Sequence, residues 1–223
     1  RSSDLLKRFN YIHKVSKYLK RNDFEKIIFE NHATLFLTLK NKNYKKYRGK
    51  YYLHLHNEIK SKYMCENIIL NTTKIIGISK FICKSTSKYL EKYNESNFTV
   101  LYNCVDVSQF NKELWIKERC ELRKEYGVND DEVLIMFSGR LNAEKGIIEL
   151  IKAFRMVKNK NIKLLIVGSF FYDTDMGSNQ DKQINSLTKG IRDKMIFTGY
   201  IPYQKMPQIY ASADFAVLPS MWE

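Results

Sequence analysis

Gly139, Arg140, Lys145 and Gly146 are the residues whose types and spacing bear most directly on chemistry. They lie between an apolar run, Val133-Leu-Ile-Met-Phe137, and a segment with apolar residues at 147, 148, 150, 151, 154 and 157. The first has the length of a strand and the second the spacing of a helix. A strand that turns through glycine into a helix presents backbone N–H groups and the positive end of the helix dipole. Two cations beside that end suit a diphosphate, whose charge they can stabilise without a metal ion. The plainer alternative is an ordinary strand-to-helix turn, with glycine supplying a positive φ and the cations solvated.

Two further groups invite a chemical reading. His54 and His56 fall at i and i+2 in Tyr51-Tyr-Leu-His-Leu-His-Asn57, so a strand places both on one face. Such a pair can ligate a metal, but no third ligand of suitable type stands near it in the sequence. His56 can instead serve at the C-terminal end of its strand, where open α/β sheets place their sites. A histidine satisfied within a core is the plainer option. Asp173 and Asp175 have the D-x-D spacing that lets two carboxylates share a divalent cation. They sit in a polar loop with Gly177 and Ser178 that reads as surface. The G-x-G-x-x-G dinucleotide fingerprint and the G-x-x-x-x-G-K-[ST] phosphate loop are both absent.

Alternating elements must position these groups. Residues 5–19 repeat apolar side chains every three or four positions between lysines, which predicts a basic amphipathic helix. A strand over 24–30, a helix opening at 33–39, a polar basic loop over 41–50 and a strand over 51–57 follow. Further strands are predicted at 74–79 and 99–102, with Ser79 capping a helix over 80–92. A charged helical stretch over 111–126 ends at Gly127. Beyond it, strands at 133–137, 162–168, 194–199 and 214–219 alternate with helices at 147–157, 180–189 and 203–212. Alternation of this kind predicts parallel sheets. Val133 opens a fresh series, so the expected division is an N-terminal domain over 1–107 and a C-terminal one over 108–223.

Composition narrows the partners. Residues 1–100 hold 21 Lys+Arg against 8 Asp+Glu, whereas residues 101–223 hold 17 against 16. The first part thus carries nearly all of the net charge of +14. This points to an anionic partner for that part: a membrane face, an anionic acceptor or a nucleic acid. A nucleic-acid module would need exposed aromatics among its cations, for which Tyr44 to Tyr52 is the candidate stretch. The four cysteines form no C-x-x-C pair and read as reduced thiols of a cytoplasmic chain. No apolar run approaches a membrane span. The chain starts at Arg1 and stops within an unfinished unit, so a fragment is expected.

Taken together, the motifs resemble those of glycosyltransferase family 4, retaining enzymes of the GT-B fold. Phe137-Ser-Gly-Arg-Leu-Asn-Ala-Glu-Lys-Gly146 with Ala153-Phe154 is similar to the family's "GRL–x–x–EKG … AF" signature. Leu53-His-Leu-His-Asn57, Ile76-Gly-Ile-Ser79, Val100-Leu-Tyr-Asn-Cys-Val-Asp106 with Phe110, Leu165-Ile-Val-Gly168, Phe197-Thr-Gly199, Tyr210, Ala213-Asp214 and Leu218-Pro-Ser-Met-Trp-Glu223 follow in the family's order. Cys104 stands where a glycine is usual.

The resemblance implies two Rossmann-like domains facing across a cleft, both truncated here. It implies transfer of a sugar from a nucleotide diphosphate sugar, on UDP or GDP, to a glycan or lipid-linked acceptor with retained configuration. Cell-surface polysaccharide synthesis is the expected pathway, with peripheral contact at the inner membrane face. By the same resemblance Arg140 and Lys145 bind the diphosphate, Gly139 permits its close approach, and His56 lies beside the transferred sugar. Tyr200 and Ile201 contact the base, and Glu223 is at or next to the first glutamate of an E-x7-E motif. The departing diphosphate would help take the acceptor's proton. No cofactor or metal is expected, and little activity is expected from this chain alone. Another enzyme of the same fold, such as a sucrose- or trehalose-type synthase, and a non-catalytic basic nucleic-acid module are the alternatives.

Overall fold

The computed structural model describes residues 2–40, 42–59, 65–90, 95–159, 161–169 and 179–221. The chain divides into two compact units, Arg1–Cys104 and Val105–Glu223. Each is built on a four-stranded parallel sheet with helices in the connections.

Unit 1 opens with helix α1 (Ser2–Arg21), followed by β1 (Ile27–Glu30), α2 (Lys42–Tyr47), β2 (Tyr51–Leu55), α3 (Glu66–Leu70), β3 (Lys74–Gly77), α4 (Lys80–Tyr89) and β4 (Phe98–Val100). The strands lie in chain order, β1-β2-β3-β4. Along β2 burial alternates: Tyr51, Leu53 and Leu55 are buried in one core with Phe29, Phe36 and Ile75, while Tyr52 and His54 occupy the other face half-buried. Ser79 caps α4 as expected, its hydroxyl accepting from the Ile82 N–H.

One local expectation is refined and another changes. The helix expected to open at Ala33–Leu39 is a 3-10 helix; the Thr38 hydroxyl donates to the Leu35 carbonyl three residues back, which suits the tighter winding. The stretch 41–50 is not a loop throughout, because Lys42–Tyr47 is helical. Tyr47 is fully buried and its hydroxyl donates to the carbonyls of Leu19 at 2.9 Å and Asn22 at 2.6 Å. Asn43 is likewise buried and donates to the carbonyls of Ser16 and Thr38. These bonds tie a polar-looking segment to the end of α1. Tyr51 is also fully buried and Tyr44 and Tyr52 are half-buried, so this stretch lacks the exposed aromatic face that single-stranded nucleic acid would stack on.

Unit 2 comprises α5 (Ile116–Glu125), β5 (Val133–Ser138), α6 (Ile147–Met156), β6 (Ile162–Val167), α7 (Asn179–Thr188), β7 (Met195–Gly199), α8 (Met206–Ser212) and β8 (Phe215–Val217). The sheet order is β7-β6-β5-β8. The continuous apolar runs of β5 and β6 reflect burial on both faces. Phe137, Leu164 and Ile166 pack with Ile147, Ile151 and Phe154 of α6 and with Ile184 of α7. Leu134, Met136, Leu165 and Val167 pack on the opposite face with Ile209 of α8.

An ionic knot holds β8 beside β5. Arg119 donates to the carbonyls of Ala211, Ser212 and Ala213, which are orphan acceptors at the end of α8, and to Asp214 at 2.6 Å. Arg123, only 6% exposed, donates to Asp214 at 3.1 Å and to the carbonyls of Asn129 and Glu132. Asp214 also accepts from the Leu134 N–H at 2.8 Å. Burial acts to raise the Asp214 carboxyl, but the Leu134 bond and the two arginines outweigh it and hold the group below its ordinary value.

Candidate functional site

The strand order of unit 2 reverses at β5, with β6 on one side and β8 on the other. The C-terminal ends of the strands at such a switch point are where open α/β sheets bind ligands. A cavity of about 1010 Å³ opens here, entirely within unit 2. Its floor is the strand ends: Ser138, Gly139 and Arg140 after β5, and Val167, Gly168 and Ser169 at β6. Tyr200 and Ile201 follow β7, and Tyr203, Met206 and Tyr210 come from the next turn and α8. Phe110 completes the wall, its ring edge-on to Tyr210 with centroids 5.7 Å apart. The short turn Val107–Phe110 that carries it is capped by Asp106. The Asp106 carboxylate accepts from the Ser108 hydroxyl at 2.6 Å, which with Gln109 and the Ser108 N–H holds it below its ordinary value.

The floor is assembled by backbone packed on backbone. Gly168 has φ 139°, and a side chain there would place its Cβ 1.9 Å from the Gly139 carbonyl oxygen. The Gly139 N–H donates to the Val167 carbonyl, and the Gly168 N–H to that of Gly199. Three neighbouring strands thus end in glycines that interlock. Beside Gly139 an added Cβ would meet the Phe137 ring at an ordinary 3.4 Å. The glycines that leave no room are Gly168 and Gly146. Gly146 has φ 67°, and a Cβ on it would lie 2.0 Å from the Pro219 carbonyl oxygen. The segment after β8 therefore crosses close to the start of α6, where the Met221 N–H donates to the Glu144 carbonyl.

The turn between β5 and α6 also differs from the expected open amide cradle. Residues Ala143–Lys145 form a 3-10 turn capped by Asn142. The Lys145 N–H donates to the Asn142 side chain at 3.0 Å, and the Gly146 N–H to the Ala143 carbonyl. Those two donors are used within the turn.

Of the residues singled out from sequence, Gly139, Arg140, Tyr200 and Ile201 line the cavity together. The Arg140 guanidinium stands 3.9 Å from the Glu144 carboxylate, with both side chains about half exposed, a loose surface pairing. Lys145 does not line the cavity, but its Cγ lies near Gly139, about an ordinary contact from where a Cβ would stand. His56 belongs to unit 1. Glu223, Asp173 and Asp175 lie outside the described residues. Gly168, Ser169, Tyr203, Met206 and Tyr210 were not singled out as site residues. The glycine that ends each strand was the available signal.

With this geometry in view, the comparisons with known proteins are specific. Residues 118–223 match the family of glycosyl transferases group 1. The matched residues include β5 to β8 and the cavity floor. An uncharacterized glycosyltransferase, MJ1607, of Methanocaldococcus jannaschii is 35% identical over 58% of this chain and 32% of its own length. The lipopolysaccharide 1,2-N-acetylglucosaminetransferase of Salmonella typhimurium is 25% identical over 88% of this chain and 49% of its own. The chain therefore spans half or less of these relatives. The crystal structure of Anabaena HepE in complex with UDP superposes with a TM-score of 0.71 at 18% identity, over 94% of this chain and 56% of that one. That likeness shows the fold: two Rossmann-like parallel-sheet units of the GT-B class. Among the described residues, no helix is long and apolar enough to cross a membrane.

Proposed function

We propose that this chain is part of a retaining glycosyltransferase that moves a sugar from a nucleotide diphosphate sugar to a glycan or lipid-linked acceptor in cell-surface polysaccharide synthesis. The observation that carries the reading is the cavity at the switch point of unit 2. It joins an aromatic and apolar wall, suited to a base and ribose, with a glycine floor and an arginine at its rim. The family match, which covers the cavity floor, and the UDP held by HepE favour a nucleoside diphosphate as the donor's leaving group.

In this reading Tyr200 and Ile201 contact the base, and Arg140 and Lys145 stabilise the diphosphate as its bond to the sugar breaks. Fixed cations beside a developing negative charge lower the barrier without reorganising at the moment of reaction. The diphosphate then needs no metal ion. His56 of unit 1 stands beside the transferred sugar, and Glu223 contributes to holding the donor. The basic balance of residues 1–100 suits peripheral contact with an anionic membrane on its cytoplasmic face, where a lipid-linked acceptor would be met.

Calorimetric titration with UDP and GDP, with and without EDTA, tests the donor site. Saturable binding of one nucleotide is expected to survive EDTA and to weaken about 10- to 100-fold in Arg140→Ala, the loss of a charge-assisted hydrogen bond. Binding abolished by EDTA would overturn the metal-free site. Binding that Arg140→Ala leaves unchanged would remove Arg140 from it.

A further inference from the structure

Glu30, His54 and His56 come together at the C-terminal ends of β1 and β2, and the function proposed above uses only the last of them. Parallel pairing sets Glu30 directly opposite His54, and His56 follows two residues on, at the same-face position of the strand period. The His54 Nδ1 lies 3.0 Å from one Glu30 carboxylate oxygen, and the His56 Nε2 lies 3.6 Å from the same oxygen. The two imidazole centroids are 4.7 Å apart, and one donor atom from each of the three residues falls within 4.8 Å of the others. We propose that Glu30, His54 and His56 form a binding site for a borderline divalent transition-metal ion, with Zn²⁺ the natural probe.

The spacing suits such an ion. Two donors each about 2.1 Å from a tetrahedral Zn²⁺ stand about 3.4 Å apart, between the two separations seen here. Two imidazoles and one carboxylate are a donor set for zinc, iron or copper; calcium and magnesium prefer oxygen throughout. Three protein ligands leave a coordination position for water or another ligand. Glu30 and His56 are 61% and 41% exposed, so an ion can reach them from solvent.

The plainer account, a histidine secured by its core, does not describe His54. Its Nε2 is buried and has no hydrogen-bond partner among the described residues. Glu30 is its ring's one hydrogen-bonding partner among the described contacts. The backbone around the triad is, by contrast, firmly held. Asn31 has φ 61°, and among the described residues it is the sole non-glycine with positive φ. Its side-chain oxygen accepts from the N–H groups of His56 and Asn57, both at 3.1 Å, while its own N–H donates to the His54 carbonyl. Asn31 thus fixes the end of β2 and the direction in which His56 leaves it, the kind of support that orients metal ligands.

This site does not depend on the glycosyl-transfer reading, which assigns no metal to the diphosphate in unit 2. If that reading holds, an ion on His56 occupies the residue expected beside the transferred sugar, and Zn²⁺ is expected to slow transfer.

The test is titration of the tag-free chain with Zn²⁺ in a Cys104→Ser/Cys120→Ser background, so that the exposed thiols do not compete. One ion per chain is expected. His54→Ala, His56→Ala and Glu30→Ala should each weaken binding at least about 100-fold, and Asn31→Ala about tenfold. Glu30→Gln removes the charge while keeping the shape, and circular dichroism checks that each variant is folded. Co²⁺ in the unsubstituted triad should give visible absorption of four-coordinate strength. No Zn²⁺ binding, or binding that these substitutions leave unchanged, would overturn the site and leave a simple His–Glu pair. Nucleotide binding is measured separately, so failure of either proposal is distinguishable from failure of the other.

Discussion

The two sheets share strand number and direction but not burial. In unit 2 successive residues of β5 and β6 enter two cores, so both faces of the sheet are covered. In unit 1 the described residues form one core, and the other face keeps Ile28 largely exposed and Tyr52 and His54 half-buried. A sheet clamped on both sides can hold its strand ends in backbone contact, and that is how Gly139 and Gly168, the latter bonded to Gly199, come to line a cavity floor. A sheet clamped on one side has room for titratable side chains on the other, which is where Glu30, His54 and His56 meet. The same strand number and direction thus accompany a shaped pocket in one unit and a cluster of donor atoms in the other.

The sharpest way to break the contrast is at Asp214. Asp214→Ala leaves Arg123 buried and short of its carboxylate, and should destabilise unit 2 by about 3–5 kcal/mol. Both tryptophans, Trp115 and Trp222, fall in unit 2. Urea unfolding followed by tryptophan fluorescence therefore reads this unit selectively. An unchanged midpoint would show that the knot does not hold β8. Acid probes the same group. Its folded carboxyl lies below the unfolded value, so its stabilisation is complete above the ordinary carboxylate range and is lost as the pH falls through the folded value. The fluorescence midpoint should accordingly begin to fall below about pH 4, and in Asp214→Ala that component of the fall should vanish.

The glycines give an intermediate effect with an internal control. Gly168→Ala drives a Cβ into the Gly139 carbonyl at a backbone angle that side chains rarely adopt, and should cost about 3 kcal/mol. Gly139→Ala meets only ordinary contacts and is left with the strain of its φ of 159°, so it should cost less, about 1–2 kcal/mol. Equal effects in urea unfolding would refute the interlocked floor. The smallest expected effect concerns thiols. Burial raises Cys65 and Cys83 of unit 1 and shields them, whereas Cys104 and Cys120 are exposed. A disulfide reagent should label the exposed pair promptly and the buried pair only as unit 1 opens. Rapid labelling of all four would show that the single core is looser than its burial implies.

Much of this architecture is legible in residue order. The apolar runs of β5 and β6, the helical period of α6 and the capping serine at position 79 are local signals, and each produced the expected element. Segment 41–50 was misread because its conformation comes from distant partners. Tyr47 and Asn43 are helical and buried through bonds to the end of α1 and to Thr38. The resemblance likewise grouped Gly139, Arg140, Lys145, Tyr200, Ile201 and Glu223; Gly139, Arg140, Tyr200 and Ile201 line one cavity, Lys145 does not, and Glu223 lies outside the described residues.

By itself, then, the sequence determined the parallel α/β class, the charge imbalance between the two parts and the loop that carries the cations. Those properties depend on composition and on periods of two or 3.6 residues, which a linear chain displays directly. Tertiary structure alone decided which strand ends touch. Glu30 became the neighbour of two histidines more than twenty positions away because β1 pairs β2 in one register. Gly168 came to rest on the Gly139 carbonyl, and Pro219 across Gly146, because β6 and β8 flank β5. Strand order and register are set by the burial of whole faces and the closure of long connections, quantities that no local stretch of residues contains.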